Sequence, residues 1–180
     1  YNQLCLKKND PEYNWFKKVS LTDKNHFDLK KYCKKKDIKF LSSPFSLERA
    51  KFLCEKLNMR TIKVASSKMY EKNLLKYLNQ RCKRIFLSTG MSTIEEIKNS
   101  LKCLSNPEVI IMHCVSEYPL SENNANLLAI KVLKKIFPKN QIGYSDHSIG
   151  TLACLTAVML GATVIEKHFT LNKKFKGTDH

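Results

Sequence analysis

Short runs of β-branched and aromatic residues recur along the chain: IKFLSS at 38–43, TIKVAS at 61–66, RIFLST at 84–89, VIIMHC at 109–114, QIGYSD at 141–146 and TVIEKHF at 163–169. Such runs read as strands, and their scarcity of polar breaks predicts burial on both faces. Between them the apolar positions change to three- and four-residue spacing, as in LERAKFLCEKLN at 47–58 and IEEIKNSLKCL at 94–104, which predicts helices. LLAIKVLKKIF at 127–137 and IGTLACLTAVML at 149–160 continue the series, and FDLKKYCKKK at 27–36 precedes the first strand. Ser92 and Glu95 fit a capping box opening the helix at 94. Gly161 is placed to stop the helix that ends at 160.

Strand starts lie 23, 23, 25, 32 and 22 residues apart. That leaves room for a helix in every connection, so the alternation predicts right-handed βαβ units and a parallel sheet. A doubly wound sheet would want a glycine-rich phosphate loop after an early strand, and neither G-x-G-x-x-G nor G-K-[ST] occurs. The remaining architecture is an incomplete (β/α)8 TIM barrel with about six βα units, against eight units and roughly 250 residues in a full one. No linker or low-complexity stretch divides residues 1–180, so the chain reads as one domain. It begins on Tyr1 instead of Met and ends on Asp179-His180, which predicts a piece of a longer polypeptide.

Composition narrows the setting. The chain has 180 residues, 43% of them hydrophobic, enough for one core. No apolar run approaches the about 20 residues that cross a bilayer, and YNQLCLKKNDPEY carries no secretory signal. Seven scattered cysteines without a C-x-x-C pair fit a reducing cytoplasm. The net charge of +16 raises nucleic acid and anionic substrates as partners. The lysines are spread over nearly every polar segment, which argues for solvated helix faces and against a nucleic-acid face.

In a barrel the chemistry sits where strands end. Those ends carry Ser42 and Ser43, Lys63 and Ser66, Ser88 and Thr89, Ser116 and Tyr118, Ser145 and His147, Glu166 and His168. Hydroxyls and one lysine converging on a barrel mouth suit an anion such as a phosphate or carboxylate. Side chains alternate faces along a strand, so Ser145 and His147 share a face, as do Glu166 and His168. The histidines are 168 − 147 = 21 residues apart, close to the 22-residue offset of their strands, so they stand at matching heights on neighbours. Strands about 4.8 Å apart let two such imidazoles share one cation, with the other positions open to water and substrate. A lone strand-end histidine is more often a satisfied hydrogen-bonding group; the shared register favours the metal reading. His113 has the opposite parity to Met112, Cys114 and Ser116 and is expected against the helices. His26 and His180 carry no signal.

The motifs LSSPFS, KVASS, LSTGMSTIEEI, MHCVSEYP, GYSDHSIG, GATVIEKHFT and GTDH, in this order, resemble the sialic acid synthase (N-acetylneuraminate synthase) family, including its legionaminic, pseudaminic and spore-coat polysaccharide relatives. The resemblance covers roughly residues 20–180. It implies a (β/α)8 barrel followed by a small antifreeze-like domain, absent from this chain, that reaches the partner subunit of a homodimer. It implies condensation of phosphoenolpyruvate with an N-acyl hexosamine such as N-acetylmannosamine, giving a nine-carbon 2-keto sugar acid and phosphate. The divalent metal it implies is commonly Mn²⁺, with Mg²⁺ or Co²⁺ as alternatives. By matching motif, His147 and His168 would hold the metal. Ser43, Lys63, Ser66, Ser88, Ser116 and Ser145 would hold phosphoenolpyruvate, and Tyr118 and Asp179 would contact the sugar. Lys63 and Glu166 are the expected catalytic groups, Glu166 moving a proton or orienting a ligand. Lys68 departs from the family, which places an acidic residue near there. Other readings are a different phosphoenolpyruvate-condensing or metal-aldolase barrel, a non-catalytic basic module that binds nucleic acid, and an inactive relative.

Overall fold

A computed structural model describes residues 13–175 together with Asn9. Five strands, β1 (Thr61–Val64), β2 (Arg84–Ser88), β3 (Glu108–Cys114), β4 (Gln141–Asp146) and β5 (Val164–Lys167), form one sheet in chain order. All four neighbour pairs are parallel. The helices are α1 (Tyr13–Val19), α2 (Asp23–Lys35), α3 (Leu47–Lys51), α4 (Lys72–Arg81), α5 (Ile94–Lys102), α6 (Ala129–Ile136) and α7 (Leu152–Met159); α3 runs on into a π-turn over Phe52–Lys56. No helix among the described residues is long and apolar enough to cross a membrane.

Pleat alternation sorts the sheet into two faces. Ile62, Val64, Ile85, Leu87, Val109, Ile111, Ile142 and Tyr144 belong to the buried cluster built with helix residues such as Leu53, Leu74, Leu78, Ile97, Leu133 and Ala157. The opposite face carries rows fixed by register: Lys63, Phe86 and Ile110; then Ser88, Met112 and Gly143; then Cys114, Ser145 and Glu166. This second face is concave. Lys63 on β1 forms an ion pair with Glu166 on β5, yet four flat strand spacings would separate those strands by about 19 Å. The sheet therefore curls into a half-barrel.

The expected strand at 38–43 does not form, so the described residues hold five strands and not six. A single backbone bond, from Lys63 N–H to the Ser42 carbonyl at 3.2 Å, ties the run to β1 among the described residues. Ile38 and Leu41 are 64% and 43% exposed. One rung with little apolar burial does not make a ladder. The capping box also lies one residue later than expected. Thr93 Oγ1 accepts from Glu96 N–H while Glu96 accepts from Thr93 N–H at 2.7 Å. Ser92 turns instead to the Gly90 carbonyl and to the hydroxyl of Tyr70. Gly161 stops α7 as expected, with φ +97° beyond a helix that ends at Met159.

Candidate active site

The concave face carries its polar groups at the strand C-termini. Ser145, on β4, lies in register with Cys114 on β3 and Glu166 on β5, and all three follow from the one-face periodicity. Glu166 receives the Lys63 ammonium across the mouth of the half-barrel. The 3₁₀ turn after β1 places Ser66 so that its Oγ accepts from Gly90 N–H at 2.9 Å and lies 3.4 Å from Cys114 Sγ. Ser116 crowds Gly90 as well: a Cβ added at Gly90 would lie 2.6 Å from Ser116 Oγ and 3.0 Å from Ser66 Oγ. Only glycine lets the three loops close to this distance. The hydroxyls of Ser43 and Ser88 are buried without a hydrogen-bond partner among the described residues. Buried polar groups are normally paired, so two such hydroxyls among the expected anion-binding residues fit an anionic ligand.

One residue beyond the β4–β5 ladder stand His147 and His168. Their ring centroids are 5.4 Å apart and the planes nearly perpendicular, at 89°. His147 Nδ1 lies 2.6 Å from the Val115 carbonyl, an acceptor only, so Nδ1 carries the proton. That leaves the lone pair on Nε2, the form a metal ligand needs. Burial depresses the His147 pKa first; the charges of His168 and Lys63 act in the same direction, against the Val115 bond and Glu166. Among the described residues no group of three His, Cys, Asp or Glu side chains is assembled for a metal. Two imidazoles with open positions fit a divalent cation whose remaining ligands are water and substrate oxygens. Asp179, expected to contact the sugar, lies outside the described residues.

Tyr118 lies over His147, ring centroids 4.0 Å apart, and 5.8 Å from His168. Its loop is tied to the segment just past β4 by Leu120 N–H, which donates to the His147 carbonyl at 2.8 Å. A cavity of about 310 Å³ opens here, lined among others by Tyr118, His147, Ile149, His168 and Phe169. His113 points the other way, as its parity predicts. It is buried, stacked on Tyr144, and its Nε2 meets the Ala125 carbonyl at 3.0 Å. Lys68, the departure in charge, is bonded to Glu71 at 2.6 Å, so an acidic group stands one turn further on.

Two groups were not expected. Asp146 is fully buried and bonded to Lys167 at 2.6 Å, on the helix side of the sheet. Their offset, 167 − 146 = 21, equals that of the histidines and could have disclosed the pair. The Val115 carbonyl has no sequence signal, since every residue carries one.

The NeuB family model matches residues 1–180. An uncharacterized protein of Methanocaldococcus jannaschii is 42% identical over 178 residues, covering 97% of this chain and 52% of that protein. The N,N'-diacetyllegionaminic acid synthase of Campylobacter jejuni is 40% identical over 184 residues, covering 99% of this chain and 54% of that enzyme. The crystal structure of N-acetylneuraminic acid (sialic acid) synthetase from Leptospira borgpetersenii, in complex with citrate, superposes with a TM-score of 0.87 at 32% identity, covering 94% of this chain and 60% of that one. The chain thus spans about half the length of the two sequence relatives.

Proposed function

The chain belongs to the NeuB family, and from that membership we propose that the protein containing it condenses phosphoenolpyruvate with an N-acyl hexosamine, giving a nine-carbon 2-keto sugar acid and phosphate. One observation carries the reading: Lys63, Glu166 and the two histidines converge on a single concave face at the strand ends. A cytoplasmic homodimer completed by further chain belongs to the same proposal.

In this reading Lys63 and the hydroxyls of Ser43, Ser66, Ser88, Ser116 and Ser145 hold the anionic phosphoenolpyruvate. The two unpartnered hydroxyls and the lysine are what a multiply charged ligand needs. His147 and His168 hold a divalent cation, Mn²⁺ in first place, with Mg²⁺ or Co²⁺ as alternatives. Bound there, it would polarise the aldehyde oxygen of the acceptor. Tyr118 and Asp179 place the sugar so that its aldehyde carbon faces the enol carbon of phosphoenolpyruvate.

A carbon–carbon bond then forms between those two atoms, and the aldehyde oxygen takes up a proton. Water adds at C2 of the phosphoenolpyruvate unit, and the tetrahedral carbon expels phosphate by breaking its C–O bond. In the same reading Glu166 moves a proton in these steps, or orients a ligand, once an anion draws Lys63 away.

Phosphate release from phosphoenolpyruvate by the full-length protein, with N-acetylmannosamine and related N-acyl hexosamines and with Mn²⁺ present, tests the reading. Release is expected only with an acceptor sugar, and loss of activity in His147→Ala should accompany loss of Mn²⁺ binding in calorimetry. No release with any such sugar, or unchanged Mn²⁺ affinity in the variant, would defeat it.

A further inference from the structure

The β4–β5 ladder ends with the pair Asp146 and Lys167. His147 and His168 lie one residue past it, where main-chain pairing no longer fixes how the two segments sit. Side chains on the opposite face take over. Lys167 Nζ donates to Asp146 Oδ2 at 2.6 Å and to the Ser148 carbonyl at 2.7 Å. Its two partners flank His147 in the sequence, and Lys167 itself precedes His168. Asp146 in turn accepts from Ser148 N–H at 2.9 Å and from Ser148 Oγ at 3.1 Å, folding the chain tightly around His147. Tyr144 and Cys154 fill its remaining sites at 3.0 and 3.1 Å.

We propose that the Asp146–Lys167 ion pair is a positioning device for the two histidines, setting the separation of their imidazoles from the helix side of the sheet. This rests on the metal reading of His147 and His168 above. A buried ion pair is a poor device for stability, because an apolar pair of similar volume does as well. It is a good device for register, because a fully bonded carboxylate tolerates one geometry only. The carboxylate of Asp146 is 0% exposed and each of its oxygens is engaged. Asp146 stands on the helix side of the sheet, and although Lys167 also lines the cavity beside the histidines, its ammonium is spent on Asp146 and the Ser148 carbonyl, so the pair acts through the histidines.

The test titrates Mn²⁺ into the full-length protein by calorimetry and records the electron paramagnetic resonance spectrum of the bound ion. The variants are Asp146→Asn, the double change Asp146→Asn with Lys167→Met, and His147→Ala. Asp146→Asn keeps the volume and the Ser148 N–H bond. Lys167 is 27% exposed and can turn its charge to water, and the double variant leaves no charge without a partner. Both are expected to bind Mn²⁺ about 10-fold more weakly or worse, the range for lost support behind a ligand, with an altered spectrum for the bound ion. Wild-type affinity and spectrum in Asp146→Asn, with His147→Ala abolishing binding, would overturn the positioning role and leave the metal reading standing. Unchanged affinity in His147→Ala would instead overturn the metal reading.

Discussion

Lys63 and Glu166 lie 103 residues apart, on the two outermost strands of the sheet. Alternation along each strand told which way they point, because that depends on pleat alone. Their meeting depends on curl, which no local pattern encodes. Asp146 and Lys167 needed no curl: they are register partners on neighbouring strands, but the 21-residue offset was read only for the histidines beside them, on the opposite face. Val115 contributes a carbonyl, and main-chain groups are invisible to residue-type reasoning. Glu166 holds the ammonium that phosphoenolpyruvate would need in the proposed reaction. Lys63→Met removes the charge and keeps the chain length. The KM for phosphoenolpyruvate should rise about 10–100-fold, the worth of one or two charge-assisted hydrogen bonds, with a smaller effect on the KM of the sugar. Steady-state kinetics with each substrate varied in turn checks this, and equal rises in both would place Lys63 outside the phosphoenolpyruvate site.

Elements with a repeated apolar period were legible, and those resting on partners were not. β4 matches its expected bounds at 141–146, and α5 ends two residues short of the expectation. The run at 38–43 has strand composition but only a single rung to β1, and propensity cannot supply the missing neighbour. The turn after β2 was read for Ser88, while its glycine was given no role because glycine offers no side chain to assign. Yet Gly90 is where the loops after β1, β2 and β3 touch, through Ser66, Cys114 and Ser116. Gly90→Ala would force a methyl group to within 2.6 Å of Ser116 Oγ. Overpacking of this kind costs about 1–3 kcal/mol, and here it displaces two hydroxyls assigned to the anion. The variant should melt lower and bind phosphoenolpyruvate more weakly, seen by thermal unfolding with and without the ligand. A lowered melting point with undiminished ligand stabilisation would separate the turn from the site.

The whole chain carries 32 Lys and Arg against 16 Asp and Glu, so added protons increase a repulsion already present. Among the described residues three ion pairs, Lys24–Asp28, Arg84–Glu108 and Lys98–Glu95, are exposed on both sides and offset little of it. Against that background His113 is buried neutral between the sheet and the loop after β3, donating from Nε2 to the Ala125 carbonyl. Burial holds its pKa below the ordinary value of 6.5. The unfolded chain therefore takes up a proton near 6.5 that the folded chain refuses. Stability from this group is complete above that value and declines as pH falls below it, toward the folded pKa. His147 shifts in the same direction, also from burial first, so comparison with a variant is needed to isolate His113. His113→Gln keeps a donor for Ala125 and removes the titration. Between pH 7.5 and 5 the full-length protein should lose thermal stability, and the variant should lose less across the same interval, measured by calorimetric scans at fixed salt. Equal losses in the two proteins would assign the acid sensitivity to overall charge and to His147, and would leave His113 a packing group only.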